Sequence, residues 1–367
     1  MTRFLLAGGG TGGHVNPMLA LADAIKHDDF EHRVWALGTS EGLEARLVPE
    51  RGFPLLTVPR LPFPRRLNSY AFGFLGKFFA AVKQVEGYIA EHRIDVVVGF
   101  GGYASAPAYL AARRAGVPVV VHEANALPGL ANRWGARFAK ATAIAFHNTK
   151  LRNTTFVGMP LRHEVEQIAK NPTTPEQRAS AREHFGLAAD APTLLVTGGS
   201  LGARSINETV DSSRNLLSAA GIQVIHIVGD RSPLEPTATK DYVRLAYCSE
   251  MHLAIAAADF AVARAGASTV SEFAAVGLPA CYVPYPVGNG EQKYNVVDLV
   301  SAGGSVVCAD VDFTPQYVSQ TLIPTVSNTR ELKAMAAIAK KTGVADGAAR
   351  LLELVKRVAV GSASALS

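Results

Sequence analysis

Short apolar runs rich in β-branched residues alternate with longer stretches of helical period along the first 160 residues. Arg3–Ala7, Arg33–Leu37, Leu55–Val58, Asp95–Gly99, Val117–His122, Thr142–Phe146 and Thr155–Val157 predict strands. The runs are apolar at nearly every position rather than every second one, which predicts a parallel sheet covered by helices on both faces. A polar stretch, Asn171 to Pro175, and a helical segment, Glu176–Phe185, follow. The pattern then restarts with strands expected at Thr193–Thr197, Gln223–Val228, Tyr242–Tyr247, Asp259–Ala263, Pro279–Val283 and Ser305–Cys308. The expected fold class is α/β, with two Rossmann-like doubly wound parallel-sheet domains in tandem, residues 1–160 and 161–343, facing a cleft.

The two halves open alike. The first strand of one runs into GGGTGGH, Gly8 to His14, and that of the other into GGSLGAR, Gly198 to Arg204. A glycine turn between strand and helix aims backbone N–H groups and a helix dipole at a ligand, so each turn is a candidate anion site. Gly8, Gly10 and Gly13 formally satisfy the dinucleotide pattern G-x-G-x-x-G. The nicotinamide reading also needs an acid at the end of the second strand, and this one ends Ala36-Leu37-Gly38-Thr39 with Glu41 beyond it. His14 directly follows the turn, where an imidazole can take a proton from a hydroxyl near neutral pH, or simply pack the turn.

Three further segments carry polar groups to strand ends. GFGGYAS, Gly99 to Ser105, repeats the strand, glycine turn and helix within the first half, which suits a second anion or a tight turn equally. HEANALPG, His122 to Gly129, is expected just beyond the fifth strand, at the edge where open α/β sheets bind ligands. In the second half, RAGASTVSE, Arg264 to Glu272, offers Ser268 and Thr269 to a phosphate and Glu272 to paired ribose hydroxyls; a capping box with Glu272 reaching back is the alternative. Gln292 adds an amide nearby, and Arg162 stands at the expected domain junction, suited to clamp a diphosphate.

Composition narrows the class. Of 367 residues, 48% are apolar and 18% charged, which excludes a disordered chain and suits two domains. Three cysteines, Cys248, Cys281 and Cys308, are too few and too scattered for a disulfide framework or a zinc site, and reduced cytoplasmic thiols are expected. No stretch reaches the roughly 18 apolar residues of a membrane span, and no secretion signal is read. Residues 1–160 hold 18 basic against 11 acidic side chains, whereas the remainder holds 18 against 20. The basic excess of the first half suits an anionic partner such as nucleic acid, acidic lipid or a phosphorylated substrate, or only a soluble basic face. Between Arg60 and Val82, Phe72, Phe74, Leu75, Phe78 and Phe79 are edged by Arg65, Arg66, Lys77 and Lys83. Part of that stretch must pack inside; the mixture also suits a lipid interface.

Taken together, GGGTGGHVNP, GFGGYAS, HEANALPG, VGMPLR, GGSLGAR, RAGASTVSEFAAVGLP and EQKYN, in that order, resemble the bacterial MurG family. That family transfers N-acetylglucosamine from UDP-GlcNAc to lipid I, undecaprenyl-pyrophosphoryl-MurNAc-pentapeptide, giving lipid II for peptidoglycan. The resemblance implies a GT-B architecture with acceptor and membrane on the first domain, the donor on the second, and 344–367 packing back on the first. It implies His14 as the base that frees the muramyl 4-hydroxyl for an inverting attack. For the donor it implies Thr11, Gly12, Gly13, Asn125, Arg162, Ser200, Cys248, Ala267, Ser268, Thr269, Glu272 and Gln292; for the acceptor, Gly101, Gly102, Tyr103, His122 and Glu123. Cys248 departs from the aliphatic residue common where the family supplies a backbone contact to uracil. No cofactor, obligatory chelated metal or nucleic-acid partner is implied, since Asp310-Val-Asp312 is read as a loop. An anionic membrane surface at the cytoplasmic face, held peripherally, and other cell-wall synthesis proteins are the remaining partners. Other classes stay open: a GT-B enzyme with another acceptor, or a nucleotide-sugar binding protein without turnover.

Overall fold

The computed structural model describes residues 1–64, 69–199, 201–287 and 289–363, side chains excepted at 69–72, 362 and 363. Two compact units emerge: Met1–Arg162 with Asp346–Ser367, and His163–Ala345.

The first unit carries seven parallel strands, β1 (Arg3–Ala7), β2 (Arg33–Gly38), β3 (Leu55–Thr57), β4 (Val96–Gly99), β5 (Val119–Glu123), β6 (Ala141–Ile144) and β7 (Thr154–Phe156), in the order β3-β2-β1-β4-β5-β6-β7. Successive side chains of a strand face opposite ways, so an all-apolar strand serves two cores. Phe4 and Leu6 of β1 join Met18, Leu21 and Ile25 of helix α1 (Gly12–Asp28) and Leu351, Leu352, Leu354 and Val355 of the C-terminal helix Gly347–Ala363. Burying each of those leucines is worth roughly 1.5–3 kcal/mol, enough to hold a helix that returns from the far end of the chain. Leu5 and Ala7 face the other way, toward Val82, Val85 and Ile89 of α3 (Ser69–His92) and Tyr109 and Ala112 of α4 (Ser105–Arg114). Helices α2 (Glu44–Glu50), between β2 and β3, and α5 (Leu130–Gly135), after β5, complete what the site needs.

The second unit repeats the plan with β8 (Thr193–Thr197), β9 (Gln223–Ile227), β10 (Thr237–Ala238), β11 (Tyr242–Leu245), β12 (Phe260–Ala263), β13 (Ala280–Tyr282) and β14 (Val306–Val307), ordered β10-β11-β9-β8-β12-β13-β14. Strand β10 pairs antiparallel with β11 at one edge. It has two residues between Pro236 and a turn, too short to leave a periodic signal in the sequence. In both sheets the strand order reverses beside the first strand, between β1 and β4 and between β8 and β12. Loops leaving neighbouring strands there diverge and open a crevice at the carboxyl edge. Those loops are Gly8–Thr11 and Gly99–Ala104 in one unit, and Gly198–Ala203 and Arg264–Gly266 in the other.

Candidate functional site

In the first unit the two glycine turns touch. Phe100 N donates to the Ala7 carbonyl at 2.7 Å, carrying the second turn alongside the first. Gly102 has φ +81°, and a Cβ there would strike the Gly9 backbone, so only glycine permits both the conformation and the approach. Ser105 Oγ ties the second turn down, accepting from Gly101 N at 3.0 Å and lying 2.9 Å from the Ala7 carbonyl.

His14 stands in the first turn of α1, whose N-cap is Thr11. Its Nδ1 lies 3.1 Å from the Gly9 carbonyl and 3.3 Å from Thr11 Oγ1. A carbonyl only accepts, so Nδ1 carries the proton and Nε2 presents its lone pair. Nε2 abuts Gly101, where a Cβ would come within 3.1 Å. The ring keeps some solvent access, yet desolvation by its packed surroundings lowers its pKa below the ordinary histidine value, outweighing the Gly9 carbonyl and the Glu44 charge, which raise it. A neutral imidazole at neutral pH with an open Nε2 is a general base in waiting.

Glu123 departs from expectation: it belongs to β5, as His122 does, rather than to the loop beyond, and both residues are buried. Glu123 accepts from Asn125 N at 2.9 Å, Gly129 N at 3.0 Å and Asn132 Nδ2 at 2.9 Å, so its oxygens are spent holding the Asn125–Gly129 loop. Burial raises its pKa against those hydrogen bonds. His122 packs on Phe100, its Nε2 lies 3.4 Å from the Gly158 carbonyl, and desolvation lowers its pKa to about 4. The Glu123 carboxylate thus braces the loop that carries Asn125, while the His122 ring is packed beneath Phe100.

Three residues absent from the sequence reading join this site. Glu44 is fully buried beneath the first glycine turn and accepts from Gly10 N at 2.9 Å. Asn132 donates to the His122 carbonyl at 3.0 Å and accepts from the Tyr109 hydroxyl at 2.7 Å, locking α5 to β5. Arg60 sets its guanidinium 5.2 Å from the centre of the Tyr103 ring, adding an exposed cation beside the Gly99–Ser105 turn. A glutamate six residues past Gly38 and an arginine 43 residues from its partner leave no local pattern.

In the second unit, the helix Ala267–Val276 begins at the crevice with Gly266 as N-cap and no side-chain cap. The capping-box alternative is therefore not what forms. Ser268 Oγ is buried without a hydrogen-bond partner among the described residues, Thr269 is half-buried beside it, and Glu272 is buried one turn further on. Beneath, Arg264 donates to the Val283 carbonyl at 3.0 Å and to Asp310 Oδ1 at 2.5 Å, and Ser205 Oγ donates to the same carboxylate at 2.7 Å. Asp310 is thereby committed to arginine within its turn. Gln292 Oε1 accepts from Tyr285 N at 2.9 Å, bracing the strand-end loop. In the turn after β8, Gly202 has φ +79° and packs on the Val228 carbonyl. Ser200 lies outside the described residues; Cys248 is half-buried in the loop after β11, and Arg162 is the last residue of the first unit before the crossover.

The aromatic segment divides. Phe78 is half-buried, turned against the core and Trp134, with Phe74 stacked on its ring. Leu75 and Phe79 are 63% and 45% exposed, with Phe63 66% exposed against Phe74 and Arg114 over the Phe79 ring. The side chain of Phe72 lies outside the described residues, as do Arg65 and Arg66. No described helix is long and apolar enough to cross a membrane. Among the described residues no group of three or more His, Cys, Asp or Glu is placed to hold a metal ion.

Residues 4–144 match the glycosyltransferase family 28 N-terminal domain and residues 193–351 the family 28 C-terminal domain. The UDP-N-acetylglucosamine–N-acetylmuramyl-(pentapeptide) pyrophosphoryl-undecaprenol N-acetylglucosamine transferase of Leifsonia xyli subsp. xyli is 52% identical over 97% of this chain and 98% of its own. That of Clavibacter sepedonicus is 54% identical over 97% and 96%. The crystal structure of Acinetobacter baumannii MurG superposes with a TM-score of 0.76 at 28% identity, covering 97% of this chain and all of that one. The chain belongs to the MurG family. Its two-domain GT-B fold is thus established.

Proposed function

We propose that this protein moves N-acetylglucosamine from UDP-GlcNAc to the 4-hydroxyl of the MurNAc-pentapeptide of lipid I, with inversion, yielding lipid II. The observation that carries the reading is His14: a neutral imidazole whose Nδ1–H is taken by the Gly9 carbonyl and whose Nε2 is open beside Gly101. Nε2 takes the acceptor proton as the sugar oxygen attacks the anomeric carbon and the bond to the UDP oxygen breaks. The first unit receives the acceptor, with the Gly101–Tyr103 turn and Arg60 facing its diphosphate, and Thr11, Gly12, Gly13 and Asn125 contribute contacts to the donor sugar. The second unit holds the nucleotide: Glu272 takes the ribose hydroxyls, the backbone near Cys248 the uracil, and Gln292 the sugar. Departing UDP is stabilised by the helix start at Ala267, Ser268 and Thr269, by Ser200 and by Arg162, without an obligatory chelated metal. The exposed Phe63, Leu75 and Phe79 with their flanking cations rest on an anionic membrane at the cytoplasmic face, where other cell-wall proteins are within reach.

The test is transfer of labelled sugar from UDP-GlcNAc to a lipid I analogue. His14→Ala is expected to lose about 10²–10⁴-fold in rate, the usual worth of a general base, while UDP binding is retained. Transfer at the wild-type rate in that variant contradicts the base assignment.

A further inference from the structure

We propose that Glu44 is a positioning residue for His14 and acts through a single peptide group, the one joining Gly9 to Gly10. The N–H of that peptide, on Gly10, donates to Glu44 Oε2 at 2.9 Å, and its carbonyl, on Gly9, takes the His14 Nδ1–H at 3.1 Å. Carboxylate, peptide and imidazole therefore form one chain of aligned dipoles, in which each hydrogen bond polarises the next. The arrangement does the work of a carboxylate bonded directly to a catalytic imidazole, fixing its tautomer and supporting the charge that develops when Nε2 takes a proton. This rests on the reading of His14 as the base.

The carboxylate is built into place. It has no solvent exposure, and its other oxygen accepts from Thr39 N at 2.9 Å and Thr39 Oγ1 at 2.8 Å. Gly9, Gly38 and Gly42 close around it so tightly that a Cβ on any of them would collide with its side chain. Burial pushes its pKa up, but the hydrogen bonds from Gly10 and Thr39 outweigh that and hold it below the usual glutamate value. It is thus charged at neutral pH, and its charge raises the basicity of His14 against desolvation. Among the neighbours, His122 on β5 couples to the ring but stays neutral, and Tyr103, with Arg60 over it, lies against Gly10. Where a dinucleotide enzyme uses an acid near its second strand for a ribose, this fold turns one inward, under its own loop.

Glu44→Gln keeps the size of the side chain and an acceptor for Thr39, but removes the charge and turns an amide NH2 donor toward the Gly10 N–H, so the relay loses both its carboxylate and its first hydrogen bond. The expected result is a kcat about 10- to 100-fold lower, in line with outer-shell losses elsewhere, with KM for UDP-GlcNAc and UDP binding unchanged. The acid limb of the kcat pH profile moves to lower pH, because His14 loses the charge that raised its pKa. An acid limb left at its wild-type position overturns the relay, whatever the rate. That outcome differs from failure of the base reading, which shows as wild-type transfer by His14→Ala. Should Glu44→Gln not fold, the wild-type protein decides: the Gly10 amide NMR signal is expected to move as His14 titrates, and a Gly10 amide that stays still through that titration overturns the proposal.

Discussion

The two glycine turns of this protein share a strand, a bend and a helix, yet they are braced by different chemistry. In the first unit the turn sits on a buried, charged Glu44, lies beside a neutral His122, and carries a histidine with a lowered pKa. In the second unit the turn is wedged by backbone packing, Gly202 against Val228, with Asn207 Nδ2 donating to the Val228 carbonyl at 2.8 Å. Its neighbouring helix leaves Ser268 Oγ unanswered. On the function proposed above, the first turn handles a proton and the second crevice receives an anion. One architecture, used twice, acquires two roles from a handful of buried polar groups.

The sharpest way to break this division is a pair of matched glycine substitutions. Gly102→Ala places a Cβ against Gly9 at a positive φ and should lower transfer at least 100-fold while leaving UDP affinity intact. Gly202→Ala imposes the same kind of strain, of order 1–3 kcal/mol, on the second turn and should weaken UDP binding by about 10- to 100-fold. Calorimetric UDP titration beside the transfer assay separates the two, and a Gly102→Ala protein that cannot bind UDP undoes the comparison.

A smaller effect is expected from Ser268→Ala. The hydroxyl has no partner among the described residues, so its removal should leave thermal stability unchanged or slightly higher. UDP affinity should fall by about tenfold, the worth of one hydrogen bond to a charged group. A stability loss with unaltered affinity would assign the serine to packing instead.

The smallest change concerns the aromatic face of α3. Leu75→Ser with Phe79→Ser should reduce co-sedimentation with anionic vesicles and leave the melting temperature in place, because both side chains are exposed. Phe78→Ser should instead lower the melting temperature, since Phe78 packs on the core. Equal vesicle binding by the double variant and the wild type removes the lipid role.

What could be read from the sequence follows from how local each signal is. The strands announce themselves because Phe4 and Leu5 serve opposite cores, so no polar gap interrupts them. The glycine turns are equally plain, since their geometry is encoded in adjacent residues. Phe78 and Phe79 differ only in which side of one helix they occupy, which composition does not reveal. Glu123 was misplaced by one boundary: a strand one residue longer takes the carboxylate from the rim into the interior. Glu44 leaves no signal because Gly10, 34 residues away, reaches it only through tertiary folding, and nothing in the residues around it distinguishes it from a surface glutamate.

The central claim is that His14 waits as a neutral base with its proton on Nδ1. Nitrogen NMR of histidine-labelled protein across pH tests it most directly. The account predicts an Nδ1–H tautomer at neutral pH and a His14 pKa below the ordinary histidine value, matching the acid limb of kcat/KM, with activity falling as pH drops through it. A His14 protonated on Nε2, or one titrating above the ordinary value, would contradict it.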